Sequence, residues 1–193
     1  MDKNIILAGV GGQGILTLAA IIDHAAMNSG LNIKQAEVHG MSQRGGAVQS
    51  HLRISDNEIF SDLIPAGKAD LILSLELLEA LRYIPYLSEN GIIITATGTI
   101  KNINNYPDEN DIIKKIKESG HKVIFIDTAK TAKEAGNSKT ENVVMVGVVS
   151  GFINIDKRTF ENSLGEFFSS KGEDIVKLNI KAFNLGHELA QRS

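Results

Sequence analysis

The chain has 193 residues, of which 42% are hydrophobic and 22% charged, as in ordinary globular proteins with one sizeable core. Its formal net charge of -3 gives no electrostatic reason to expect nucleic acid or an acidic membrane surface as a partner. The absence of cysteine excludes disulfides, cysteine-ligated zinc and cysteine-ligated iron–sulfur clusters from this chain. The length of the chain predicts one domain over residues 1–193.

The N-terminal stretch MDKNIILAGV does not have the pattern of a signal peptide, because its apolar run ends at once in glycines. No apolar stretch in the sequence is long enough to span a bilayer. We therefore expect a cytoplasmic protein that does not contact a membrane.

The first third of the chain has the pattern of a strand, a helix and a second strand. A continuous apolar run at 4–10 predicts a strand buried on both faces. Apolar residues then recur at helical spacing, and Gly30 is a suitable helix stop. The helix face expected to be buried consists of Ile15, Leu18, Ala19, Ile22, Ala25 and Ala26. The second strand is predicted over 33–38.

The middle of the chain changes its period and then returns to buried strands. Residues 47–54 alternate, which predicts an antiparallel strand with Gln49, His51 and Arg53 on one face. Three apolar runs predict further strands, at 69–75, 91–97 and 122–127. Two helices are predicted between them, over 76–87 and from Pro107 to Gly120.

The last third has helical patterns only. The apolar run VVMVGVVSGFI predicts a buried helix, and two amphipathic helices are predicted over 157–170 and 173–191. Strands that alternate with helices predict an α/β fold. We expect a Rossmann-like, mostly parallel sheet flanked by helices, with one antiparallel hairpin region and a helical C-terminal segment.

A glycine-rich loop separates the first strand from the first helix. Gly9, Gly11 and Gly14 match the pattern G-x-G-x-x-G, and Glu37 lies where a ribose-binding acid is expected. A helix N-terminus offers unpaired N–H groups, and glycines let a pyrophosphate come close. The motif leaves three interpretations open: an NAD or FAD site, a site for another phosphate ligand, or tight packing of the helix on the sheet. The segment after Glu37 weakens the dinucleotide interpretation, because HGMSQRGGA is not a crossover helix.

The loop HGMSQRGG also carries a single arginine, Arg44. Its planar guanidinium could hold a carboxylate or a phosphate, or it could bind neighbouring carbonyl groups and order the loop. His39 and His51 do not have the spacing of metal ligands, so no metal site is predicted. No Ser/His/Asp arrangement or carboxylate pair points to catalysis, so no catalytic residue is predicted either.

Taken together, GVGGQGIL and AEVHGMSQRGGAVQSHLR resemble the gamma domain of the 2-oxoacid:ferredoxin oxidoreductases. The stretches ADLILSLELLEALRYIPYL and NVVMVGVVSG extend the resemblance over about residues 3–190. Within that family the sequence is most similar to the indolepyruvate type, in which this domain forms a small subunit by itself. The gamma subunits of pyruvate, 2-oxoisovalerate and 2-oxoglutarate enzymes are the alternative. A free-standing NAD- or FAD-binding protein and a ligand sensor are less favoured.

The resemblance implies a non-catalytic subunit of a complex that oxidatively decarboxylates a 2-oxoacid to an acyl-CoA. It implies that thiamine diphosphate and iron–sulfur clusters lie on a large alpha subunit, that electrons pass through the complex to ferredoxin, and that the isolated chain is inactive. It also implies that coenzyme A lies nearby. The residues expected at its pyrophosphate are Gly11, Gly12, Gln13, Gly14 and Ile15. Those expected to face the partner subunit are His39, Met41, Gln43, Arg44, Gly45 and Gly46. The strand after them is expected to show Gln49, His51 and Arg53 to a partner or to the sheet edge.

Overall fold

The computed structural model describes residues 2–39 and 45–192 of the chain. The strands are β1 (Asp2–Val10), β2 (Asn32–His39), β3 (Ala47–Ser55), β4 (Ala69–Ser74), β5 (Leu87–Ala96) and β6 (Lys122–Ile126). The helices are α1 (Ile15–Asn28), α2 (Leu77–Arg82), α3 (Glu109–Glu118), α4 (Thr128–Ala135), α5 (Glu141–Ser150), α6 (Lys157–Phe168) and α7 (Glu173–Gln191). Every predicted strand and helix is confirmed, with boundaries that differ by a few residues. The short helix α4 was not predicted, because TAKTAKEA has few apolar residues to mark a buried face.

The strands form one sheet in the order β2-β3-β1-β4-β5-β6. β3 is antiparallel to both of its neighbours, while β1, β4, β5 and β6 pair in parallel. The predicted fold class is therefore confirmed, including the antiparallel hairpin formed by β2 and β3. By pairing with β1, β3 separates β2 from the rest of the sheet and leaves β2 as an edge strand.

The position of β3 corrects one prediction about its side chains. His51 is only 3% exposed, and its Nδ1 accepts a hydrogen bond of 3.0 Å from the backbone N–H of Ile64. Arg53 donates to Asn4 Oδ1 at 2.9 Å and to the carbonyl of Ser61 at 2.8 Å. His51 therefore faces neither a partner nor the sheet edge, because residues that follow β3 cover this face of the sheet.

Apolar cores lie on both faces of the sheet, which explains the continuous apolar run of β1. Ile5 and Leu7 belong to the core that includes α1, α5, α6 and α7. Ile6 and Ala8 belong to the second core, formed with α2 and α3. Successive side chains of a strand point to opposite faces, so a strand covered on both sides must be apolar at every position.

The helices α5 and α7 cross in close contact within the first core. Every residue of α5 from Asn142 to Ser150 is buried. At the crossing, a Cβ atom on Gly147 would overlap the carbonyl oxygen of Phe183, and one on Gly186 would overlap that of Val144. The two backbones touch because neither glycine has a side chain. None of the described helices is both long and apolar enough to cross a membrane.

Candidate functional site

The glycine-rich loop lies at the carboxyl end of β1, in the centre of the sheet. After β1 the chain forms β2 and β3 on one side of β1, and it then forms β4 on the other side of β1. Such a reversal of strand order opens a crevice at the carboxyl ends of the strands, where α/β proteins bind ligands. The glycine loop borders this crevice.

Gln13 holds the glycine loop in place from within. Its Oε1 accepts from the backbone N–H of Val10 at 2.7 Å, and its Nε2 donates to the carbonyl of Leu75 at 2.7 Å. Its own backbone N–H donates to the carbonyl of Val10 at 3.1 Å. Gln13 therefore joins the carboxyl ends of β1 and β4, and both ends of its side chain are engaged within the protein.

Gly45 and Gly46 bind the glycine loop directly. Gly11 donates to the carbonyl of Gly46 at 2.8 Å, and Gly45 donates to the carbonyl of Gly11 at 3.2 Å. Asn102 adds a bond of 2.7 Å from its Nδ2 to the carbonyl of Gly45. Gly45 and Gly46 are thus fastened at the mouth of the crevice.

The other predicted partner-facing residues are only partly described. His39 is the last residue of β2. Its side chain lies outside the described part of the structure, as do Met41, Gln43 and Arg44. Their contact with a partner stays a prediction.

Gly12 and Gly14 shape the turn that leads from β1 to α1, and only Gly12 faces open space. Both have left-handed backbone conformations, with φ of 106° and 81°. A Cβ atom at Gly12 would meet nothing within 4 Å, whereas one at Gly14 would lie 2.7 Å from Nδ2 of Asn142. Within residues 2–39 and 45–192, the backbone N–H groups of Gly12, Gly14 and Ile15 donate to no protein acceptor. The helix dipole adds partial positive charge at this point.

Two clefts meet at Gly12. The first measures about 480 Å³ and is lined by Val10, Gly11, Gly12, Gly14, Ile15, Leu16, Thr17, Glu37 and Val48. The second measures about 580 Å³ and is lined by Gly12, Gln13, Leu75, Gly98, Thr99, Ile100, Thr128, Ala129, Ser138, Lys139, Glu141 and Asn142. The open N–H groups can therefore donate to a ligand in the first cleft, or to a ligand that extends past Gly12 into the second cleft.

Glu37 lines the first cleft but does not occupy the usual place of a ribose-binding acid. In a regular dinucleotide fold the second strand pairs directly with the first. Here β3 lies between β1 and β2, so Glu37 is two strand spacings from β1, about 10 Å instead of about 5 Å. This geometry weakens the NAD or FAD interpretation further.

Sequence reasoning missed a buried carboxylate, Glu76, at the carboxyl end of β4. Glu76 is 1% exposed and accepts from the backbone N–H of Glu79 at 2.9 Å and of Ile100 at 3.2 Å. The hydroxyl of Tyr106 also donates to it. Burial, and then this bond, raise the pKa of Tyr106, so the phenol stays a donor. The only sequence signal was an acid between a buried strand and an apolar helix.

These bonds hold the segment between β5 and α3 against the second cleft. Ile100 lines that cleft, so Glu76 positions one of its walls. Among the described residues, no group of three or more His, Asp or Glu side chains is arranged to bind a metal ion.

Exposed apolar side chains surround the same end of the sheet. Leu16, Val38, Ile100 and Ile103 are 54%, 51%, 37% and 44% exposed. They follow or precede the carboxyl ends of β1, β2 and β5, so they lie at the same end of the sheet, and we call these four side chains the apolar rim. Exposed apolar side chains gain free energy when a partner buries them.

The chain is similar to proteins of one group along nearly its whole length. A family model described as pyruvate ferredoxin/flavodoxin oxidoreductase matches residues 4–189. Indolepyruvate oxidoreductase subunit IorB of Archaeoglobus fulgidus is 40% identical, over 98% of this chain and 96% of that protein.

Solved structures share the fold. The gamma subunit of a keto/oxoacid ferredoxin oxidoreductase from Geobacter sulfurreducens is 26% identical with a TM-score of 0.72, over 99% of both chains. The 2-oxoglutarate:ferredoxin oxidoreductase from Magnetococcus marinus, solved with 2-oxoglutarate, coenzyme A and succinyl-CoA, is 23% identical with a TM-score of 0.81. That match covers all of this chain but only 31% of the other, so this chain spans about a third of that protein.

Proposed function

The chain belongs to the pyruvate ferredoxin/flavodoxin oxidoreductase family, and from this premise we propose that it is the small, non-catalytic subunit of an indolepyruvate-type 2-oxoacid:ferredoxin oxidoreductase. The identity of 40% to an indolepyruvate subunit of nearly equal length supports this type. It favours indolepyruvate over pyruvate, 2-oxoisovalerate and 2-oxoglutarate as the substrate of the complex.

In this proposal the chemistry takes place on another chain. The sequence has no cysteine for an iron–sulfur cluster, and the described residues have no metal-binding group. Thiamine diphosphate and the clusters would lie on a large alpha subunit, which would pass electrons to ferredoxin. The small subunit would hold the large one and shape part of the ligand crevice.

The apolar rim is the observation that supports the subunit role most directly. Leu16, Val38 and Ile103 are each at least 44% exposed, and burial against a partner would remove them from water. At the same end of the sheet, backbone hydrogen bonds join Gly45 and Gly46 to Gly11. The large alpha subunit is the partner that we assign to this surface.

The open N–H groups of Gly12, Gly14 and Ile15 suit the pyrophosphate of coenzyme A. Unpaired N–H groups and the positive helix end both favour an anion. Gly11 and Gln13 would not bind the pyrophosphate through the backbone, because their N–H groups already donate to the carbonyls of Gly46 and Val10. These two residues shape the loop. A protein that shares the fold was solved with coenzyme A, which makes this ligand the one to test.

Assembly and activity test the subunit role. The two chains should co-purify when expressed together, and the complex should reduce a redox dye with indolepyruvate and coenzyme A. The small subunit alone should be colourless and inactive. Reduction of the dye by this chain without the large subunit would contradict the proposal.

Substitutions on the loop and rim should weaken that complex without unfolding the chain. Arg44→Ala and Leu16→Ser both leave the described cores untouched. Removing a hydrogen-bonded charge at an interface typically costs about 2–5 kcal/mol, so the first change should have the larger effect. Loss of folding in Arg44→Ala would mean that the arginine is an internal structural residue instead.

Three glycine substitutions test the coenzyme A site in the intact complex. Gly12→Ala should weaken coenzyme A binding, because a side chain there enters the space where both clefts meet. Gly98→Ala adds a side chain to the second cleft alone. Gly67→Ala is the matched control, since it has a similar left-handed φ of 72° and open surroundings away from the site.

Titration with coenzyme A and with NAD separates the alternatives. Weakening by Gly12→Ala alone assigns the pyrophosphate to the first cleft, and weakening by Gly98→Ala assigns the ligand to the second. Equal affinity in all variants would return the glycine loop to a packing role. Preferential binding of NAD would contradict the proposed ligand.

A further inference from the structure

A second exposed surface lies at the opposite end of the sheet, on the segment from Asp56 to Lys68 that connects β3 to β4. Two of its side chains, Ile59 and Ile64, are buried at 7% and 2% exposure. Between them, Phe60 is 86% exposed and Leu63 is 54% exposed. The segment is therefore anchored by two isoleucines and presents a phenylalanine and a leucine to solvent.

Hydrogen bonds fix the backbone that carries these two side chains. His51 accepts from Ile64, Arg53 donates to the carbonyl of Ser61, and Leu63 donates to Ser61 Oγ at 3.2 Å. A phenylalanine exposed to this extent contributes little to the core, and a partner could bury up to about 150–250 Å² of its surface. Because the backbone is already ordered, little entropy would be lost when a partner binds.

The surroundings of Phe60 are acidic. Residues 56–62 contain Asp56, Glu58 and Asp62 and no lysine or arginine. Beside Phe60 lies a cleft of about 370 Å³, whose polar lining includes Asp2, Asn4, Ser55, Asn57 and Glu58. Arg53 also lines the cleft and donates to two neutral acceptors, Asn4 Oδ1 and the carbonyl of Ser61, so it keeps its positive charge. The two carboxylates of the lining, Asp2 and Glu58, outnumber it, and the cleft therefore favours a cation next to the ring.

We propose that Phe60 and Leu63 form a second docking surface, for a chain other than this one that offers an apolar pocket rimmed by lysine or arginine. One of those cations would enter the cleft beside Phe60, between its ring and the carboxylates. The occupant is the large alpha subunit of the proposed complex, so its identity rests on the proposed function. Burial of an aromatic anchor inside a charged rim is typical of interface hot spots.

Charge argues against a second copy of this chain as the occupant. In a twofold dimer the same patch meets itself, so Glu58 and Asp62 would face their own copies. Like charges placed together across an interface oppose binding. A basic partner gains from the same carboxylates.

Phe60→Ala in the co-expressed complex tests the surface. The dissociation constant of the complex should rise at least about tenfold, as for a hot-spot aromatic. The urea midpoint of the isolated chain should not change, because this side chain packs against little. Met27→Ala is the control, since Met27 is 66% exposed on α1, which packs on the other face of the sheet.

The double variant Glu58→Gln with Asp62→Asn tests the charge of the partner. It should weaken the complex a few-fold at low salt and make the affinity less dependent on salt. Unchanged or tighter binding would contradict a basic rim.

The outcomes separate this inference from the proposed function. If the wild-type chains do not assemble, both fail. If they assemble and Phe60→Ala binds as tightly as the wild type, the subunit role stands and the second docking surface is wrong. If the isolated chain dimerises and Phe60→Ala abolishes that dimer, the occupant is a second copy and the proposal is overturned.

Discussion

Gly147 and Gly186 lie where two helices touch, whereas Gly12 and Gly14 lie where the chain borders the crevice at the carboxyl ends of the strands. At the helix crossing the missing side chain lets two backbones meet, and a Cβ atom would overlap a carbonyl oxygen. At the glycine loop the backbone has a positive φ, and the space around Gly12 is empty. One region uses glycine to close a contact and the other uses it to keep a surface open.

This difference shows that the structural role of a glycine can be assigned only when the atoms around it are known. A substitution in the closed region should change stability alone. A substitution in the glycine loop should change stability less than one at the helix crossing, and it should also change ligand binding. The following experiments sharpen or break that distinction.

Gly186→Ala should produce the largest loss of stability, about 3 kcal/mol or more in the free energy of unfolding. The new methyl group must push α7 away from the backbone of Val144, which overpacks a fully buried contact. Urea unfolding of the isolated chain measures the loss. Gly165→Ala is the control: it lies in helix α6 with nothing within 4 Å of its Cβ position, and should stabilise the chain by about 0.5–1 kcal/mol. Equal stability of the two variants would mean that the helices do not touch at Gly186.

Gln13→Ala should cost about 2 kcal/mol, because it leaves the N–H of Val10 and the carbonyl of Leu75 without their partners. Gln13→Glu keeps the acceptor for Val10 but places a carboxylate oxygen against the carbonyl of Leu75, so this variant should lose at least as much stability as Gln13→Ala. The measurement is again urea unfolding. If both variants are as stable as the wild type, the loop does not depend on Gln13, and the residue is available to a ligand.

Gly14→Ala should cost about 1–2 kcal/mol through its left-handed backbone, with an added part from the contact to Asn142. The same substitution in an Asn142→Ala background should retain only the backbone part. The four unfolding free energies form a double-mutant cycle that isolates the contact. A coupling energy of zero would show that Asn142 moves away freely.

The smallest effect should be a pH dependence in the closed region. His187 contacts Ser150 Oγ through Nδ1 at 2.7 Å. Burial, and then Lys157, lower the pKa of His187 below its usual 6.5. As the pH falls below about 6.5, His187 takes up a proton in the unfolded chain before it does so in the folded chain. The free energy of unfolding therefore falls with pH until the pH is below the lowered pKa of the folded state.

His187→Gln should remove part of this slope between pH 8 and pH 5. The pKa of His51 is also lowered, by burial first, so the variant should keep the part that comes from His51. Unfolding midpoints of both proteins across this pH range provide the measurement. Identical slopes would show that His187 does not contribute.

The sequence alone predicted much of the fold, because the spacing of apolar residues within a segment indicates whether it is a strand or a helix. The buried runs of β1 and α5, the alternation of β3 and the helical spacing of α1 are each visible over about ten residues. The glycine loop was also visible, since its motif places glycines between a strand and a helix. Local sequence thus determined which elements exist and where the candidate site begins.

Only the tertiary structure decided what those elements meet. The insertion of β3 between β1 and β2 moved Glu37 one strand further from the glycine loop and buried His51. The internal role of Gln13 depends on Leu75, 62 residues away in the chain. Strand order and such long-range hydrogen bonds arise from pairing between distant segments, which leaves no periodic signal in either segment. The sequence therefore determined the elements and the glycine loop, and tertiary pairing decided which N–H groups stay open at the crevice.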